Sequence, residues 1–156
     1  MIHFLKGDAT DPQAKGKKLI VHICNDVGGW GKGFVVAISK RWAAPEEDFR
    51  EQFTNRKQPG SDFKLGAVRF VSVTPEITVA NMIAQHGMGA RNGVPPIRYD
   101  ALETCLGKVE TFCSAGGYSV HMPRIGCGLA GGKWEKVEAV VLNALKERDV
   151  FVYDFV

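Results

Sequence analysis

The chain has 156 residues, 45% hydrophobic and 24% charged, with 20 basic side chains against 17 acidic ones and a net charge of +3. That length predicts one domain over residues 1–156, able to bury roughly two-thirds of its unfolded surface. The mild charge excludes a large nucleic-acid footprint: only Lys15-Gly16-Lys17-Lys18 forms a basic cluster, and so short a run is expected to face water. No apolar run reaches the ~18 residues of a membrane span, so no membrane contact is expected. Cys24, Cys105, Cys113 and Cys127 lack CxxC spacing, and neither they nor the four histidines carry metal-ligand spacing. The start, Met1 to Asp8, has no basic segment ahead of an apolar one. A reduced, cytoplasmic protein without metal or cofactor is the expectation.

In chain order, Met1 to Leu5 reads as a strand, and Lys18 to Cys24 as a second one whose Leu19-Ile20-Val21 run fits a strand covered on both faces. Gly33 to Trp42 has helical spacing, with Phe34, Ala37, Ile38 and Trp42 on one side, and Pro45 opens a short helix through Phe53. Thr54 to Lys64 is polar loop. Ala67 to Val73 and Glu76 to Ala84 are strands around Thr74-Pro75, and Gln85 to Pro96 is a glycine- and proline-rich loop long enough to carry function. Arg98 to Ala115 is a helix with Leu102, Leu106, Val109 and Phe112 at core spacing, stopped by Gly116-Gly117. Tyr118 to Pro123 is a strand, Trp134 to Arg148 a helix, and Val150 to Phe155 the last strand. Elements interleaved in this way predict an α/β fold with helices on both faces of a mixed sheet, and ligands beyond the carboxyl ends of its strands.

Two stretches stand out. Val120 to Pro123 runs through Arg124-Ile125-Gly126-Cys127-Gly128-Leu129-Ala130-Gly131-Gly132 into the helix at Trp134, and Leu19 to Asn25 runs through Asp26-Val27-Gly28-Gly29-Trp30-Gly31-Lys32-Gly33 into the helix at Phe34. Each is strand, glycine loop, helix, an arrangement that offers backbone N–H groups and a positive helix end to an anion. Gly126-x-Gly128-x-x-Gly131 also has dinucleotide-binding spacing, with Asp154 where a ribose acid would stand, but a Rossmann half needs further strands after that acid and only two residues follow. A P-loop is excluded because Trp134 follows Lys133 and Cys127 replaces the first glycine. Two matching loops at one sheet edge predict a diphosphate clamp. Asn25 is placed for a sugar hydroxyl, and Asp8 either for an exocyclic amine or as a turn cap.

These motifs resemble the macrodomain family, the ADP-ribose-binding module, from Gly7-Asp8-Ala9-Thr10 to Val152-Tyr153-Asp154. The strongest matches are His22-Ile23-Cys24-Asn25 with Gly29-Trp30-Gly31-Lys32-Gly33, and Met122 to Gly128 with Gly131-Gly132-Lys133-Trp134. Within the family the chain is similar to small stand-alone members related to ADP-ribose-1″-phosphate phosphatases and to the terminal ADP-ribose protein glycohydrolase. The resemblance implies a three-layer α/β/α fold, Asp8 at the adenine amine, Ala9 beneath the base, Asn25 at the distal ribose, and Gly28 to Gly33 with Gly126 to Gly131 around the diphosphate. Tyr153 or Phe155 would touch the base.

Two departures follow from the same resemblance. The glycohydrolase subgroup, like the DNA-directed antitoxin members, carries a lysine where this chain has Gln85 or, with a one-residue slip, His86; its acid after Gly-x-Gly-Leu is here Ala130. Chemistry through that pair is not expected. The remaining candidate bases are His22, which equally fits a core histidine on a buried strand, and His86, which equally fits an exposed loop residue; Asp26, next to Asn25, is the nearest carboxylate to orient a base or water, and it equally fits a cap of the helix opened by the following loop. His3 and His121 read as structural. Trp30 and Trp134 read as packing for the loop bases, and Arg91, Arg98 and Tyr99 as rim residues or contacts to the distal ribose.

The functional expectation is an ADP-ribose-recognising protein that hydrolyses an ADP-ribose phosphate or ester, with ADP-ribosylated protein as a further partner. A non-catalytic binding module and a DNA-directed ADP-ribose hydrolase are the alternatives. Gly126→Val is expected to abolish binding by keeping the diphosphate off the backbone.

Overall fold

The computed structural model describes residues 1–155; Val156, at the end of the expected domain, lies outside them. The strands are β1 (Ile2–Lys6), β2 (Lys18–Asn25), β3 (Val68–Ser72), β4 (Ile77–Gln85), β5 (Ser119–Met122) and β6 (Val150–Asp154), and the helices are α1 (Phe34–Arg41), α2 (Ala44–Thr54), α3 (Tyr99–Gly116) and α4 (Trp134–Ala144). The strands form one sheet in the order β1-β6-β5-β2-β4-β3. Among the described residues, β3–β4 is the antiparallel strand pair, as a short turn between consecutive strands allows; the other strand pairs are parallel and connected through helices.

The apolar runs of β2 and β4 place them at the centre, buried along almost their whole length. One core lies on the α3 and α4 side, where Leu102, Leu106, Val109, Val137 and Val141 pack on Leu19, Val21 and Met82. The other lies on the α1 and α2 side, where Ile38 and Phe49 pack on Ile20, Val79 and Ile83. The result is a three-layer α/β/α sandwich around a mixed sheet. Helix α3 keeps its apolar stripe to Cys113 and stops at Gly117, whose N–H donates to the Cys113 carbonyl.

Two details depart from the sequence reading. Helix α4 ends at Ala144 rather than Arg148, because Leu145 is drawn into the core and the chain must turn back before β6. Lys18 is not part of a solvated run: it is 6% exposed, and its ammonium donates to the Gly16 carbonyl and to Glu76. No helix is long and apolar enough to cross a membrane among the described residues.

The feature that shapes the site is a register shift between β2 and β4. Cys24 pairs with Ile83, but Asn25 pairs with Gln85, so one residue is passed over at the carboxyl end of the two strands. The shift sets two amide side chains side by side at the sheet edge.

Candidate functional site

Beyond the carboxyl ends of β2, β4 and β5 lies an open basin of about 510 Å³. Its wall takes His22 and Asn25 from β2, Gln85 from β4, and Phe34 and Val35 from the start of α1. The first glycine loop contributes Gly29, Gly31, Lys32 and Gly33, and the second Arg124, Ile125, Gly126, Gly128, Leu129 and Ala130. The two loops meet: a β-carbon built on Gly33 would stand 3.4 Å from Leu129 Cδ1. They are therefore opposed faces of one slot.

The slot suits an anion on three counts. Its wall carries Lys32 and Arg124 but no carboxylate. Helix α1 opens on the basin with no side-chain cap and no acidic residue in its first turn, so its positive end is uncompensated. The backbone N–H groups from Gly31 to Val35, and those of Gly128, Leu129 and Ala130, have no protein acceptor among the described residues.

The amides at the floor are partly committed. Asn25 Oδ1 accepts from Val27 N and Gly29 N at 3.1 and 2.9 Å, while its Nδ2 donates to the Gly29 carbonyl at 2.8 Å. Both lone pairs of the oxygen are taken and one of the two Nδ2 hydrogens is spent on Gly29, so one amide hydrogen is left for a ligand. Gly28 is held in the same turn with φ +80, and a β-carbon there would stand 2.6 Å from the Phe53 ring, so its role is in the loop base. Gln85 donates to the Gly87 carbonyl.

His22 is 1% exposed. Asn81 Nδ2 donates to the Pro45 carbonyl, which turns its Oδ1 toward His22, so His22 Nε2 carries the proton and donates at 2.5 Å. Burial lowers the pKa of the imidazole from its usual 6.5 to about 4, with the Asn81 bond opposing. Trp30 packs edge-on against it at 5.5 Å and donates to Ser39, so this tryptophan braces the loop from behind.

Several expected site residues stand off this wall. Asp8 Oδ1 accepts from the Thr10 N–H and hydroxyl, and Oδ2 lies 3.5 Å from Arg41. Partial burial works to raise the Asp8 carboxyl, but these partners outweigh it and leave it below its usual value. Ala9 is buried next to it. Tyr153 is 4% exposed, its hydroxyl placed between Gln13 N and His121 Nδ1. Phe155 is 81% exposed. Arg124, which is on the wall, makes a two-point bond to Asp154 at 2.8 and 2.9 Å and lies over the rings of Phe4 and Trp134. That bond raises the Arg124 pKa and holds the Asp154 carboxyl below its usual range.

Cys127 turns its thiol onto the Ile125 carbonyl, and burial raises its pKa, which removes thiolate character. Gly131 sits against Pro95. Arg98 ties the long loop down by donating to the carbonyls of Pro95, Pro96 and Ile97. The Tyr99 hydroxyl accepts from Lys133 N at the start of α4. Asp26 and His86 bond to each other at 2.7 Å. Sequence reasoning missed Phe34, Val35, Ile23, Cys24, Met88 and Pro123 on the wall. For the first two the signal was present, since they directly follow Gly33 at a helix start. Among the described residues no group of three or more His, Cys, Asp or Glu is placed to hold a metal.

No family model matches the chain. Among solved structures, the structure of a macrodomain protein from Streptomyces coelicolor is 49% identical, each chain covered over 99%, with a TM-score of 0.87. A protein of unknown function from Bacteroides thetaiotaomicron is 54% identical over 99% of this chain and 98% of that one, with a TM-score of 0.94. Among curated proteins, the chromodomain-helicase-DNA-binding protein 1-like of Mus musculus is 29% identical over 97% of this chain, which spans only 17% of that protein's length. An ADP-ribose 1″-phosphate phosphatase of Candida albicans is 26% identical over 96% of this chain and 94% of its own.

Proposed function

The chain belongs to the macrodomain family, and from that premise we propose that it binds ADP-ribose in the basin, with the diphosphate held between the two glycine loops. The observation that carries this reading is the pair of opposed loops with unpaired N–H groups around a slot free of carboxylates. In this reading Asn25 and Gln85 face the distal ribose, and the adenine lies toward Ala9 and Asp8; Asp8 Oδ1 is taken by Thr10, and Oδ2, which also lies 3.5 Å from Arg41, is the oxygen that would accept from an exocyclic amine.

We further propose that an ester on the distal ribose, phosphoryl or acyl, is hydrolysed there, which would make ADP-ribosylated protein one source of substrate. The likeness to a phosphatase along nearly the whole chain supports this. Binding without turnover is the second reading, favoured by His22, which is buried, neutral and already donating to Asn81.

Calorimetric titration with ADP-ribose tests the ligand. The expected result is one site with a dissociation constant of about 10 μM or tighter, near −7 kcal/mol, and little affinity for adenosine, which lacks the diphosphate. Absence of heat and of competition at that concentration contradicts the proposal.

A further inference from the structure

The His86–Asp26 pair is not itself on the basin wall but directly follows two wall residues, Gln85 and Asn25, and it is built like a base and the group that orients it. It stands at the carboxyl ends of the adjacent strands β4 and β2. His86 follows Gln85 and lies two residues before Met88, both on the basin wall. Asp26 Oδ2 lies 2.7 Å from His86 Nδ1, and Asp26 Oδ1 accepts from Gly87 N at 2.9 Å. The backbone fixes both partners, since Asp26 N donates to the Gln85 carbonyl and His86 N to that of Pro96.

An accepting carboxylate requires the proton on Nδ1. The lone pair of the neutral ring is then on Nε2, which makes no protein hydrogen bond among the described residues, in a side chain 54% exposed. His22 has the opposite arrangement: its Nε2–H is spent on Asn81 and its ring is buried.

We propose that His86 is the catalytic base for hydrolysis of an ester on the distal ribose, and that Asp26 is its positioning residue. This rests on the reading that the basin holds ADP-ribose. His86 Nε2 takes a proton from water, and the water oxygen bonds to the phosphorus or acyl carbon. The bond from that centre to the ribose oxygen breaks, and the proton passes from Nε2 to the released oxygen. ADP-ribose and the free phosphate or carboxylic acid are the products, with no other reactant needed.

The test compares wild type, His86→Ala, Asp26→Asn and Asp26→Glu on two probes, ADP-ribose-1″-phosphate and a carboxylic ester of ADP-ribose, with ADP-ribose affinity measured separately. Wild type is expected to hydrolyse one probe, which identifies the ester. His86→Ala should lose about 100-fold or more in kcat with KM nearly unchanged, bind ADP-ribose as wild type does, and recover turnover with added imidazole. Asp26→Asn should lose kcat even though its amide oxygen can still accept from Gly87 N, because an N–H facing Nδ1 moves the ring proton to Nε2; Asp26→Glu should restore part of it. Full activity in His86→Ala overturns the proposal, as does binding of ADP-ribose by wild type with turnover of neither probe. Failure of wild type to bind ADP-ribose overturns the underlying reading instead.

Discussion

Gly128→Val is expected to weaken ADP-ribose binding at least 100-fold, about 2.7 kcal/mol, while leaving stability within about 1 kcal/mol of wild type. A β-carbon at Gly128 meets nothing within 4 Å, and its backbone is not in the left-handed region, so the fold accepts a side chain there. The valine stands on the basin wall in the loop proposed to hold the diphosphate. Gly126→Val, the sequence-based choice for the same purpose, is expected to behave differently. A β-carbon on Gly126 would lie 2.5 Å from Ile97 Cδ1 and 3.2 Å from Ile23 Cδ1, and its φ of +74 strains any branched residue. Overpacking and strain together predict a loss of about 3–5 kcal/mol. Its loss of binding would then report unfolding, not a blocked ligand. Calorimetric binding and thermal melting of both variants separate the two; a Gly128→Val protein that binds normally contradicts the loop assignment.

Stability is expected to fall as the solution is acidified from about pH 6.5 toward pH 4. His22 and His121 are fully enclosed, and burial lowers each from the usual 6.5 to about 4, aided at His121 by the nearby Lys18 charge. Between those values the unfolded chain binds protons that the folded chain refuses. The stabilisation is complete above pH 6.5 and is lost on the way down, by about 2 kcal/mol per histidine at pH 5. Asp8, Glu46 and Asp154 have lowered pKa values, so their contributions stay in place at pH 5 and above and begin to be lost only as the pH falls through the ordinary carboxylate range at the bottom of this window. Urea unfolding at pH 7.5 and pH 5 measures the drop, and equal midpoints would show that neither imidazole is held neutral by the fold.

Much of this molecule was readable from local pattern. The continuous apolar runs of β2 and β4, the stripe on α3 and the two strand–glycine–helix stretches act over short distances, and each produced its element within a few residues of its observed limits. What escaped the sequence depends on partners far apart in the chain. The register shift that sets Gln85 beside Asn25 arises from pairing between β2 and β4, and nothing in either strand alone announces it. The Asp26–His86 pair spans 60 residues: both were candidates singly, but neither signalled the other. Lys18 looked like part of a solvated cluster because its burial depends on Glu76 across the sheet edge. Gly126 looked like a ligand contact, yet the direction of its missing side chain, toward Ile97 and Ile23, is a property of the folded turn.

The central claim is that a diphosphate seats between the two glycine loops, against backbone N–H groups that lack protein acceptors among the described residues. The most direct measurement is a two-dimensional amide NMR titration of the wild-type protein with ADP-ribose. The account predicts that the largest shifts fall together on Gly29 to Val35 and Gly126 to Ala130, and that the amides of β3 and α2 stay in place. Saturation with those two loops unmoved, or with the largest shifts elsewhere, would contradict it.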